Sequence, residues 1–191
     1  ADSDYLPASP AQPPFFDLLV HAKEVGLGLV RRLVGAAIDA HSEGRDPGKN
    51  GYTIVFDDGP RFFPWKNTYF WSRDQAREYS AASGLKALKA WGHRRLDAGE
   101  PVDEVLADVL GPPGSSAAFL LVAVDLLLSH FPATRSAMVP FLANPELLAT
   151  ERGRSGHDRM DTGRFAMRDE PPGAVLLADL RGRPSRKAML E

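Results

Sequence analysis

Cysteine is absent from the 191 residues. That excludes disulfides, thiolate zinc sites and cysteine nucleophiles, and it fits a reducing cytosol. An excess of one charge is missing too. The formal net charge is −2, which gives no electrostatic reason to expect nucleic acid or an anionic membrane as partner. Long apolar runs are also lacking. The longest is Ala117–Val124, reaching Leu128 if Asp125 is tolerated, whereas a bilayer span needs about 20 residues. It reads as a buried helix. The opening ADSDYLPASPAQPP has no basic n-region and no apolar h-region, so no signal peptide is visible. With four prolines it reads as an extended linker over residues 1–14, as though cut from something longer.

What is present is ordinary for a globular domain: 43% hydrophobic and 25% charged residues, in a chain long enough to bury a core. The pattern from Phe15 onward is helical. Phe15, Phe16, Leu18, Leu19 and Ala22 form one apolar face, and Leu27, Val30, Leu33, Val34, Ala37 and Ile38 continue at helical spacing. Gly26 and Gly28 suggest a break near Glu24–Gly26, Arg31 and Arg32 fall on the solvent side, and Gly44 ends the run. Tyr52–Phe56 and Arg61–Trp65 then flank Asp58-Gly59, a hairpin signal over about 52–65, with Pro60 and Pro64 confining the second strand to an edge.

Helical punctuation dominates the remainder. Ser72 to Gln75 has the form of a capping box, opening a helix with Tyr79, Leu85, Leu88, Trp91, His93 and Leu96 that stops near Gly99. Pro101 starts a helix ending at Gly111. Ser115 or Ser116 caps Ala117–His130, which is apolar on nearly all sides and should be the central helix. Pro132 starts a further helix to Leu142, and Pro145 a short one through Leu148. Residues 151–191 read as a flexible, charged segment. Arg152–Pro172 is loop-like, a short ordered element falls at 174–180, and Arg181–Glu191 is frayed. The fold class expected is mainly α: an irregular stacked, helical-repeat-like array over 15–150 with one inserted β-hairpin.

Candidate chemistry is sparse. Gly44–Lys49 (GRDPGK) looks like a phosphate loop but has the wrong glycine spacing, Asn50 in place of Ser/Thr, and a helix ahead of it. A surface turn is the better reading. His93 reads as a helix-surface histidine, and His130 as one favoured by a helix C-terminus. Asp125, inside an apolar run, must be paired if buried; Arg135, His93 or backbone amides could partner it, and a structural ion pair is favoured over a functional acid. His157, Asp158 and Asp161 match no metal signature. No G-x-S-x-G, H-E-x-x-H or paired-carboxylate pattern occurs, so no catalytic, cofactor-binding or metal residue is nominated. The aromatic block Phe62, Phe63, Trp65, Tyr69, Phe70 and Trp71 either fastens the hairpin to the helices or offers a protein-contact surface.

The series ALKAWGHRRLDAGEPVDEVLADVLGPPGSSAAFLLVAVDLLLSHFP, continuing to VPFLANPELL, resembles the helical region of very large bacterial ATP-binding proteins. These are STAND-type NTPases associated with defence against phage. FFDLLVHAKEVGLGLVRRLV and the FFPW and YFWSRD segments are similar to the same region, so the resemblance covers about Phe15–Arg152. It implies a sensor or scaffold segment whose ATP chemistry sits in a separate P-loop domain, and no nucleotide-binding residue carries over. The expected function is therefore non-enzymatic and cytoplasmic: recognition of a protein partner or of other domains of the same parent chain, without a cofactor. Two alternatives remain open. One is a small helical enzyme using Asp125 with His93 or His130 in one solvent-connected pocket. The other is nucleic-acid binding through a basic face over Arg152–Arg186.

Overall fold

A computed structural model describes residues 8–42, 46, 49–73, 79–160 and 174–190. Directly after Pro14, α1 (Phe15–His21) buries Phe15 and Leu19. One non-helical residue, Ala22, separates it from α2 (Lys23–Ser42), so the break precedes the expected Glu24–Gly26. Gly26 serves another purpose. A Cβ there would lie 2.7 Å from the Leu19 backbone nitrogen, so the two helices approach more closely than a side chain permits. Arg31, expected to face solvent, instead donates to the Asp108 carbonyl at 2.8 Å. The expected stop, Gly44, lies outside the described residues.

The hairpin pairs β1 (Gly51–Phe56) with β2 (Gly59–Pro64), Phe56 facing Gly59. The turn is therefore Asp57-Asp58, one residue earlier than expected, and Gly59 opens β2 with φ 123°. Period-two alternation puts Tyr52, Ile54 and Phe63 inward, and Thr53, Val55, Pro60 and Phe62 outward. A hairpin alone is marginal in water, and this one is tied down. The Asn144 amide donates to the Thr53 carbonyl at 2.8 Å, and the Ala117 N–H to the Pro64 carbonyl at 2.7 Å. Trp65 then takes a left-handed φ of 64°, uncommon for a bulky residue, and turns the chain into the 3-10 helix Lys66–Ser72. Thr68 Oγ1 locks that corner by donating to the Trp65 carbonyl at 2.8 Å.

After residues 74–78, which lie outside the description together with half of the expected capping box, come α3 (Tyr79–Asp97), α4 (Val102–Leu110) and α5 (Ala118–Ser129). Every residue from Ala118 to Leu128 is buried, so α5 is the central helix its sequence announces. Neither serine caps it. Ala117 stands at the N-cap, Ser115 Oγ donates to the Pro112 carbonyl, and Ser116 Oγ is buried without a partner among the described residues. Around α5 pack α3, α4, α6 (Arg135–Leu142), the 3-10 helix and a C-terminal 3-10 turn (Pro184–Arg186).

The C-terminal part departs from expectation. The helix starting at Pro145 does not stop at Leu148, and no loop begins at Arg152: α7 spans Pro145–Met160. Residues 161–173 lie outside the description. Beyond them α8 (Ala174–Gly182) and the 3-10 turn follow, and Ser185 and Leu190 are buried where a frayed end was expected. The whole is mainly α with one hairpin inserted between α2 and α3. Among the described residues no helix is long and apolar enough to cross a membrane.

Candidate functional site

The middle of α3 is buried on every side, Ala81 through His93, yet it carries Lys86, Lys89 and His93. Together with Asp97 they form one stripe at helical spacing. Long polar side chains tolerate such a place only if each finds a partner. Lys86 Nζ donates to the Ala8 carbonyl at 3.0 Å. Lys89, His93 and Asp97 face α5 and the C-terminal turn. Gly92 lets α5 come close, since a Cβ there would stand 2.7 Å from Leu126 Cδ1.

Asp125, on α5, is the centre of the arrangement and is completely buried. Arg73 grips it with two parallel hydrogen bonds of 2.7 Å, and Lys89 Nζ adds a third at 3.0 Å. Its partners are thus Arg73 and Lys89, not Arg135, which is exposed on α6, nor His93. Burial by itself would raise the Asp125 carboxyl. Arg73, then Lys89 and Arg154, reverse this and hold it well below the usual carboxylate range. Burial lowers Lys89 to about 8 against the pull of Asp125.

The network runs on from Arg73. Its Nη2 lies 3.2 Å from Asp158, which also receives Arg154 at 2.6 Å and Arg186 at 3.3 Å. Arg154 Nε reaches both oxygens of Glu151, and the Tyr69 hydroxyl donates to Glu151 at 2.6 Å. Burial and the adjacent Glu151 push the Tyr69 phenol well above its ordinary value. One continuous chain of charges therefore joins α3, α5, the 3-10 helix, α7 and the C-terminal turn. Among its described members four cations (Arg73, Lys89, Arg154, Arg186) meet three carboxylates (Asp125, Glu151, Asp158).

Beside it lies a histidine pair. His93 Nδ1 and His130 Nε2 are 3.1 Å apart, and Asp97 stands 3.8 Å from His130. His93 is not on the helix surface as expected but 1% exposed. Burial drives it down to about 3, with Arg183 adding to the effect, and burial also lowers the half-buried His130 against Asp97. Burial thus disfavours the charged form of both rings, which share one hydrogen bond. Asp97 is itself clasped by Arg183 at 2.7 and 3.1 Å.

Chemically most of these groups are engaged with one another, although His93 Nε2 and Arg73 Nε are buried without a hydrogen-bond partner among the described residues. Asp125 is held ionised between two cations, which leaves it little basicity for proton abstraction. Asp125, His93 and His130 do gather in one region, but Asp125 and His93 are both buried and bonded inward. No group of three potential metal ligands occurs among the described residues. Asp158 serves the ion-pair network, Asp161 lies outside the description, and so does most of Gly44–Lys49. Arg154, Arg183 and Arg186 are all engaged by carboxylates. Of the six aromatic candidates, Phe63, Trp65 and Tyr69 are buried, Phe70 and Trp71 are half-buried, and Phe62 alone is exposed.

The i,i+4 stripe of Lys89, His93 and Asp97 was visible in the sequence as polar residues interrupting an apolar helix face. Arg73 carried no such signal, because it follows an irregular 3-10 segment. Fold and network together define a class, a mainly α domain with a buried ionic spine. No protein-family model matches the chain, and no curated protein shows a significant match to it.

Proposed function

We propose that the chain is a non-enzymatic interaction or scaffold segment, cytoplasmic, that docks onto protein. The partner we favour is the other domains of a larger multidomain bacterial NTPase of the STAND type. The observation that carries this reading is an apolar outer surface on two elements in contact with each other. Val55 (62% exposed) and Phe62 (40%) stand on the solvent face of the hairpin. Phe131 (58%), Val139 (59%) and Leu142 (40%) stand on α6 and the turn before it. The elements adjoin through the Phe56–Phe141 ring contact and the bond from Asn144 to Thr53. Exposed apolar side chains on adjoining elements are the kind of surface from which protein-contact sites are built. The ionic spine supports the same reading, because it ties five elements into a fixed frame behind that surface.

Hydrogen exchange tests it. Backbone amides of β1, β2 and α6 should exchange more slowly in the full-length parent protein than in the isolated chain. Equal exchange in the two contexts at residues 51–64 and 131–142 removes the proposal.

A further inference from the structure

On the opposite side of α3 lies a cleft of about 330 Å³, lined by Leu19, Val20, Lys23, Trp91, Arg94, Arg95, Ala98 and Glu100. Its floor is apolar: Leu19 and Val20 from α1, Trp91 from α3 and Ala98 from the turn after it. Its rim is basic. The volume is that of a small-ligand pocket.

The charges on that rim are not equivalent. Lys23 pairs with Asp108 at 3.2 Å, and Arg95 pairs with both Asp108 and Glu100. Arg95 is further fixed by stacking 4.5 Å over the Trp91 ring. Lys23 also pairs with Glu24 at 3.6 Å, so both cations are engaged by carboxylates. Arg94 stands exposed at the rim with no partner among the described residues. Nor is it needed to close the helix end. The carbonyls of Arg94, Arg95 and Leu96 already accept from the N–H groups of Ala98, Glu100 and Gly99. The cleft therefore combines apolar surface from Leu19, Val20 and Trp91, with Arg95 stacked on Trp91, and at its mouth one guanidinium that makes no ion pair among the described residues.

From this geometry we propose that the cleft binds a small molecule with an apolar body and a single carboxylate, its apolar part on Leu19, Val20 and Trp91 and its carboxylate on Arg94. A dianion gains no second free cation here, and a neutral molecule leaves the guanidinium unused. The site is separate from the protein-contact surface and does not rest on that reading.

The probes are 4-phenylbutyrate and its uncharged amide, titrated into the 15N-labelled chain with the Trp91 indole N–H as reporter. The acid should shift that signal and those of Val20 and Ala98 with millimolar or tighter affinity, and the amide should bind about tenfold more weakly. Arg94→Gln should reduce the acid to the level of the amide without changing the melting temperature. Ala98→Trp, which fills the cleft from an exposed position, should abolish both. Equal binding of acid and amide overturns the proposal. So do an unchanged affinity in Arg94→Gln and binding that persists in Ala98→Trp, and so does an absence of shifts at these residues at about 10 mM acid, where even a weak fragment registers.

Discussion

Arg73 and Asp125, 52 residues apart in sequence, meet through two parallel hydrogen bonds of 2.7 Å in the centre of the protein. This pair, more than Lys89, carries the electrostatic balance of the core. Removing Asp125 strands Lys89 and leaves Arg73 with Asp158 alone among the described residues, at 3.2 Å, whereas removing Lys89 leaves Asp125 still held bidentately. Asp125→Ala should therefore cost about 3–5 kcal/mol of unfolding free energy. Lys89→Met should stay within about 1 kcal/mol of the parent, because the lost cation is one whose charge burial already disfavours. Urea denaturation at pH 7 compares them. Equal losses in the two variants would show that Lys89, and not Arg73, is the essential partner.

Acid should destabilise the protein earlier than carboxylate titration alone requires. His93 has a folded pKa of about 3, below its unfolded value of about 6.5. Between these values the unfolded chain binds more protons, so stability falls as the pH drops from about 6.5 towards 3. His130, also lowered, acts in the same sense, and Asp125 adds its loss below about pH 4. Lys89 acts at the other end: with a folded value of about 8 below its unfolded one, its contribution improves as pH rises above 8. Melting temperatures between pH 7 and 4.5 should fall steeply in the parent and less steeply in His93→Leu. The same slope in both would place the acid sensitivity elsewhere.

Much of this fold was legible because helices announce themselves locally. The all-round apolar character of Ala117–His130 marked the central helix, and two β-branched and aromatic runs around an Asp-Gly pair marked the hairpin. The turn itself was misplaced by one residue, since Asp57 and Asp58 both accept a turn conformation and only the pairing of Phe56 with Gly59 decides. The second half of α7, beyond Leu148, was missed for a different reason. Residues 151–160 read as a polar loop because their residues are charged and small, yet Glu151, Arg154 and Asp158 recur at i,i+3 and i,i+4 and bury their charges on one another. A helix face that is buried by ion pairing has no hydrophobic period to detect. The site suffered likewise: the partner of Asp125 sits in an irregular segment where spacing predicts nothing.

Gly26 and Gly35 lie on the same helix and should respond oppositely to alanine. At Gly26 the new Cβ would come within 3 Å of three backbone atoms of α1, and backbone cannot rotate away. Overpacking of about 1–3 kcal/mol should outweigh the gain in helix propensity, leaving Gly26→Ala destabilised. At Gly35 nothing lies within 4 Å of the added Cβ, so Gly35→Ala should stabilise by about 0.5–1 kcal/mol. Thermal unfolding of the two variants checks both signs. A stabilised Gly26→Ala would mean that α1 does not pack on α2 at this distance.

Arg154 should decide whether the C-terminal turn stays docked. Its guanidinium donates to Glu151 and Asp158 within α7, and also to the carbonyls of Ser185 at 2.9 Å and Ala188 at 2.7 Å. The last two bonds cross to the chain beyond α8, whose other described anchors include the Ser185 N–H on Ser129 Oγ, the Arg186–Asp158 pair and the buried Leu190. Arg154→Met keeps much of the buried stem but removes all the donors, leaving Glu151 and both carbonyls short of partners. The substitution should cost about 3–5 kcal/mol, as for any broken buried pair, and should loosen residues 184–190 before the rest of the molecule. Limited proteolysis distinguishes local release from general weakening. Cleavage confined to the C-terminal segment, with the hairpin and α5 still protected, is the expected pattern, whereas uniform cleavage along the chain would show that Arg154 supports the whole core and not the tail.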